Sequence, residues 1–155
     1  MTYNVNGKDL QSSKTDLLFE FDKHSSIDVY AVAFQELPYS SYFVDSWKEQ
    51  LSNVFGEQKF VLLAREAMSV TSLMIFVRKD KISNFYCTEK TYVNFDFLRR
   101  KGAIGIRFFW NHLTFCFIGC HFIPHDENID QRNEHYHYIL NKLFFNSKET
   151  ILSHE

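Results

Sequence analysis

The residues with usable chemistry fall at three places. Glu36 follows the nearly continuous apolar run of residues 28–34, with Gln35 between them. A carboxylate there stands at the carboxyl end of a strand, where the ligand sites of α/β folds collect. It reads either as a magnesium ligand or as a solvated glutamate opening a loop before Pro38. His121 closes another apolar run, and His125 follows it across Pro124, which puts two imidazoles on one loop. Such groups titrate near neutrality and can bond a phosphate oxygen, or they serve as hydrogen-bonded structural residues. Zinc is disfavoured: no third and fourth ligand stands at suitable spacing, and folding would have to supply Asp126 with His135 or His137. The third place is Arg99, Arg100 and Lys101 before Gly102, with Phe95, Phe97 and Leu98 just upstream. Cationic and apolar groups in one loop suit an anion or an anionic lipid surface. A solvated strand end with its aromatics turned into the core has the same pattern.

These residues need elements to hold them. Residues 3–5 alternate like a strand and stop at the turn pair Asn6-Gly7. Ser12 or Ser13 can cap a helix carrying Leu17, Leu18 and Phe21. Residues 28–34 read as a strand buried on both faces. Phe43, Trp47, Leu51 and Val54 form an amphipathic stripe with Ser40 or Ser41 as its cap and Gly56 as its stop. Strands are expected over 60–64, 70–77 and 85–93, and over 104–110 and 113–121 around a two-residue hairpin link, Asn111-His112. Ile129, Tyr136, Ile139, Leu140 and Leu143 mark a last helix. Cys116 and Cys120 share a strand face and are small core residues. The pattern is α/β, one sheet layered with helices.

Composition narrows the function classes. The chain has 155 residues, the size of one domain, and is 45% hydrophobic and 17% aromatic, which excludes a disordered segment. A net charge of -2 offers no global field for nucleic acid or an acidic membrane, so anion binding must be local. Three cysteines fit neither a disulfide framework nor a zinc site, and no apolar run reaches membrane-spanning length. The expectation is a cytoplasmic protein, peripheral to membranes if it meets them, with no nucleic acid partner and no obligate oligomer.

Four blocks in order resemble the inositol polyphosphate 5-phosphatases, a DNase I-like branch of the endonuclease/exonuclease/phosphatase superfamily. Thr2-Tyr3-Asn4-Val5-Asn6-Gly7 resembles the family's TWNVNG, and Asp28 onward, DVYAVAFQEL, its second block. Arg100-Lys101-Gly102-Ala103 with Ile106-Arg107-Phe108 resembles NKGAV and IRF. Cys120-His121-Phe122, His125, Arg132-Asn133 and Tyr136 resemble SHLAAH and RNxDY. The resemblance implies a DNase I-like sandwich of two packed sheets flanked by helices, and magnesium-dependent removal of the 5-phosphate from phosphoinositides or soluble inositol polyphosphates. It implies Glu36 and Asn4 at the Mg2+, Asn4 and His121 as catalytic groups, Lys101, Arg100 and His125 at the substrate, and Phe95, Phe97 and Leu98 toward lipid. Tyr3 stands where the family has Trp, and Arg100 where it has Asn. The family's later GDxNYR and PxWxDR blocks and its final Asp-His pair are absent. Residues 1–155 therefore read as the amino-terminal part of such a domain, truncated at both ends, with impaired activity. A DNase I-like nuclease fragment and a non-catalytic phosphoinositide-binding remnant are the alternatives.

Overall fold

A computed structural model describes residues 1–8, 26–38, 41–144 and 151. The helix expected around Leu17, Leu18 and Phe21 and the residue Ser40 lie outside them.

β2 (Val29–Gln35) is the spine of a four-stranded sheet. Its even-numbered Val32 and Phe34 face one core and Ala31 and Ala33 the other, so the unbroken apolar run has both faces to fill. β1 (Thr2–Asn4) runs parallel to it in the register Thr2↔Ala33 to Asn4↔Gln35, so both strands end at one rim. β4 (Thr71–Arg78) pairs antiparallel on the other side, and β3 (Phe60–Met68) pairs outside that. β3 runs past Ala64 to Met68, four residues beyond expectation, because β4 offers partners as far as Thr71. A bulge between Leu62 and Ala64 absorbs the irregular register.

The second sheet is a meander of β5 (Phe85–Asn94), β6 (Gly102–Trp110) and β7 (Leu113–His121). Asn111, at φ 54, makes the tight link the sequence predicts, and the ladder runs from Trp110↔Leu113 to Gly102↔His121. Two sheets replace the single one read from periodicity, as the resemblance implies. Leu73, Ile75 and Val77 meet Ile104, Ile106 and Phe108 between them. Gly119 permits close approach there, since a Cβ on it would stand 3.0 Å from that of Ala33. The three-stranded sheet is narrower than its partner. An apolar groove of about 440 Å³, lined by Met1, Ala31, Ala33, Leu73 and Phe117, lies between β1 and β7.

α1 (Ser41–Glu57) covers the outer face of the four-stranded sheet through Trp47, Leu51 and Phe55. Phe55, not Val54, is buried, and its ring stacks on Phe76 at 4.1 Å. Gly56 does not stop the helix, which continues to Glu57 before Lys59 turns the chain at φ 65. α2 (Ile129–Lys142) covers the three-stranded sheet. Ile139 is its buried residue, and Ile129 and Tyr136, expected on its apolar stripe, are exposed. Leu143 and Phe144 complete the seat after the helix ends, with the Phe144 ring in the notch that Gly105 leaves.

Candidate functional site

The parallel ends of β1 and β2, the end of β7 and the start of β6 meet at one rim. Glu36, His121 and Lys101 gather there around an open pocket of about 620 Å³. Asn6, Gly7 and Glu36 form one wall, and Arg100, Lys101 and His121 the other. Leu37 and Val70, both buried, lie between them.

Glu36 adopts φ 56, a left-handed conformation that costs a residue with a Cβ about 1–3 kcal/mol and persists only where its surroundings enforce it. Here they do. The Gly7 N–H donates to the Glu36 carbonyl at 2.7 Å, and the next residue, Leu37, donates to the Val70 carbonyl at 2.8 Å. The strand's direction breaks at this residue, and the carboxylate reaches within 3.4 Å of His121 Nε2.

His121 is 8% exposed. Lys101 Nζ donates to His121 Nε2 at 2.6 Å. An ammonium has only donors, so Nε2 is the acceptor and the ring proton belongs on Nδ1 by this assignment. The electrostatics agree. Burial pushes the His121 pKa down and the neighbouring Lys101 charge pushes it further, against the Arg100 backbone and Glu36. Lys101 is itself lowered by burial, with Glu36 and Asp96 opposing. A neutral imidazole thus stands beside a partly desolvated ammonium, with the Glu36 carboxylate facing them.

Asn4 sits at the same rim, paired with Gln35, and is exposed. Its Oδ1 accepts the Asn6 N–H at 2.9 Å, and it is Asn6 that lines the pocket. His125 is exposed at φ 76 and does not line the pocket. Its carbonyl accepts from Arg132 Nη1 at 2.5 Å, which ties the loop after β7 to α2 instead. The three residues read as a lipid-facing set separate. Phe95 turns inward and stacks on His135 at 3.9 Å, while Phe97 is 97% exposed and Leu98 52%. The Arg100 N–H donates to Asp96 Oδ1 at 2.8 Å, which shapes this tip.

The oxygen donors fit a hard cation in part. Glu36 supplies a carboxylate and Asn4 an amide oxygen with a second lone pair free of the Asn6 bond. Magnesium is ordinarily held by one or two carboxylates, its remaining positions going to water and phosphate oxygens. Among the described residues no group of three or more His, Cys, Asp or Glu is placed to hold a metal. Also among the described residues, no helix is long and apolar enough to cross a membrane.

Sequence reasoning missed Asn6, Gly7, Leu37 and Val70 as pocket residues. Asn6-Gly7 carried a signal, a turn pair directly after a strand with both residues at positive φ. Val70 carried none, being far from the other blocks along the chain.

The Endonuclease/Exonuclease/phosphatase family 2 model matches residues 1–155. Rat Synaptojanin-2 is 31% identical over 148 residues, covering 86% of this chain and 10% of that protein. Mouse Type II inositol 1,4,5-trisphosphate 5-phosphatase is 27% identical over 158 residues, covering 93% of this chain and 16% of that protein. The inositol polyphosphate 5-phosphatase domain of SPsynaptojanin, solved with inositol (1,4)-bisphosphate and calcium ion, superposes with a TM-score of 0.84 at 26% identity. It is covered to 48% and covers 99% of this chain. The two packed sheets and their helices are that domain's DNase I-like arrangement. The chain spans about half of that structure and a small part of either curated relative.

Proposed function

This chain belongs to the Endonuclease/Exonuclease/phosphatase family 2, and from that premise we propose that it forms part of a magnesium-dependent phosphatase acting on the 5-phosphate of phosphoinositides or soluble inositol polyphosphates. The observation that carries the reading is the pocket in which Glu36 faces the Lys101–His121 pair, with His121 Nε2 3.4 Å from Glu36 Oε1 and 2.6 Å from Lys101 Nζ.

In this reading Glu36 and Asn4 hold Mg2+, which when bound supplies positive charge against the transferring phosphoryl group. Lys101, held by its bond to His121 Nε2, contributes a fixed donor toward the same oxygens, in a rim pocket where it needs little reorganisation. Arg100, on the same wall, extends the positive surface for a second phosphate. The exposed Phe97 and Leu98, beside Arg99 and Arg100, give the tip an apolar and cationic face suited to an anionic lipid surface.

The test is calorimetric titration of the chain with an inositol polyphosphate, with and without Mg2+, beside phosphate release by a protein that also carries the later blocks. Binding strengthened by Mg2+, lost on chelation and insensitive to Mg2+ in Glu36→Gln is expected. Release that persists in Glu36→Gln removes that carboxylate from the metal. Nicking of DNA without phosphate release from inositol phosphates refutes the substrate class.

A further inference from the structure

The turn joining β3 to β4 carries no ionisable group, yet it touches both walls of the rim pocket. Its Val70 carbonyl accepts the Leu37 N–H at 2.8 Å and so braces the residue next to Glu36. One residue back from the Ser69-Val70 turn, Met68 lies against Gly102. A Cβ built on Gly102 would stand 2.5 Å from Met68 Cε, 2.8 Å from its Sδ and 2.3 Å from the Val93 carbonyl oxygen. Gly102 adjoins Lys101 and pairs across the ladder with His121. Met68 is 2% exposed, so its side chain has no solvent to retreat into. The backbone of Glu36 and the strand ends bearing Lys101 and His121 therefore bear on three consecutive residues, with Ser69 at φ 49 making the reversal.

We propose that Met68, Val70 and Gly102 are positioning residues, which set the separation between Glu36 and the Lys101–His121 pair across the pocket. The inference rests on the reading of that pocket as a phosphate site. Its physical basis is that packed interiors transmit displacement instead of absorbing it. A thioether against a glycine fixes how near the start of β6 can come to the end of β3. The lysine–histidine bond at 2.6 Å does not survive a shift of about 1 Å as a good hydrogen bond. The absence of a side chain at position 102 is thus a requirement of the site as well as of the sheet.

The experiment titrates the intact chain with inorganic phosphate in Mg2+, following binding by calorimetry below the unfolding transition of each variant, with folding checked by circular dichroism. Met68→Ala, which removes the brace, weakens phosphate binding about tenfold, and Gly102→Ala weakens it at least as much. Met68→Leu, which keeps most of the volume, stays within about twofold of the unaltered chain. Lys101→Ala, the control for the pocket itself, loses most of the binding. A merely structural Met68 would lower the melting temperature and leave the affinity of the folded protein unchanged, and that result overturns the positioning role. If Gly102→Ala does not fold, the Met68→Ala and Met68→Leu pair decides alone. Unchanged binding in Lys101→Ala overturns the phosphate reading and this inference with it. Weakened Lys101→Ala beside unweakened Met68→Ala overturns this inference alone.

Discussion

Gly105→Ala tests how α2 is seated. An added Cβ would stand 2.5 Å from Phe144 Cζ, 2.6 Å from its Cε2 and 2.9 Å from Leu143 Cδ2. Ordinary carbon contacts lie near 3.5–4.0 Å, so the ring must withdraw by about 1 Å. That forfeits about a quarter to a half of its contacts, from a side chain whose full burial is worth about 1.5–3 kcal/mol. It also draws the ring from Arg107, whose guanidinium carbon lies 3.9 Å from the ring centroid, an interaction worth about 0.5–2 kcal/mol. Replacing glycine by alanine in a strand works the other way, by about 0.5–1 kcal/mol. The net expectation is destabilisation by about 1–2 kcal/mol, read in urea as a midpoint lower by about 1 M. Phe144→Ala alone costs about 3–5 kcal/mol. In the Phe144→Ala background the methyl at 105 meets no ring, so its effect shrinks below about 1 kcal/mol. A full-sized Gly105→Ala effect in that background, or a midpoint equal to that of the unaltered chain, refutes the notch.

Two further outcomes follow from the site and its surroundings. Replacing Phe97 and Leu98 together by alanine reduces sedimentation with phosphoinositide-containing vesicles while leaving phosphate binding intact; undiminished sedimentation removes the tip from the membrane reading. Burial holds the His135 imidazole below its ordinary value of 6.5, with Glu134 opposing. The unfolded chain then takes up its proton first as the pH falls, so this contribution to stability is complete above about 6.5 and declines as the pH drops toward the folded value. His121, lowered in the same sense, adds to that slope. Thermal unfolding across pH 5–8 is therefore less pH-dependent in His135→Phe, which keeps a ring against Phe95; an unaltered slope shows the imidazole to be solvated.

Several strands were legible because their patterns are local. The doubly buried run of β2 and the hairpin at Asn111 announce themselves in a few residues. What eluded the sequence depends on partners. β3 extends to Met68 through Arg65 and Glu66, residues that resemble a loop until β4 lies beside them. The helical stripe at Ile129 and Tyr136 points away from the core because α2 is buried through Ile139. Glu36, His121 and Lys101 could be singled out by type and block order, and they do converge. Their neighbour Val70 could not be, since a backbone carbonyl leaves no trace in residue type.

The unequal widths of the two sheets bear on how the chain behaves in bulk. β7 has no strand partner on its outer side among the described residues, and the greasy groove beside it has no lid there. Where such a strand margin is left bare, it attracts others of its kind. Light scattering should then reveal net attraction between molecules as concentration rises, with dilute samples best behaved. Cys120, lining the groove with its thiol pKa pushed up to about 11 by burial, would stay chemically quiet through such encounters.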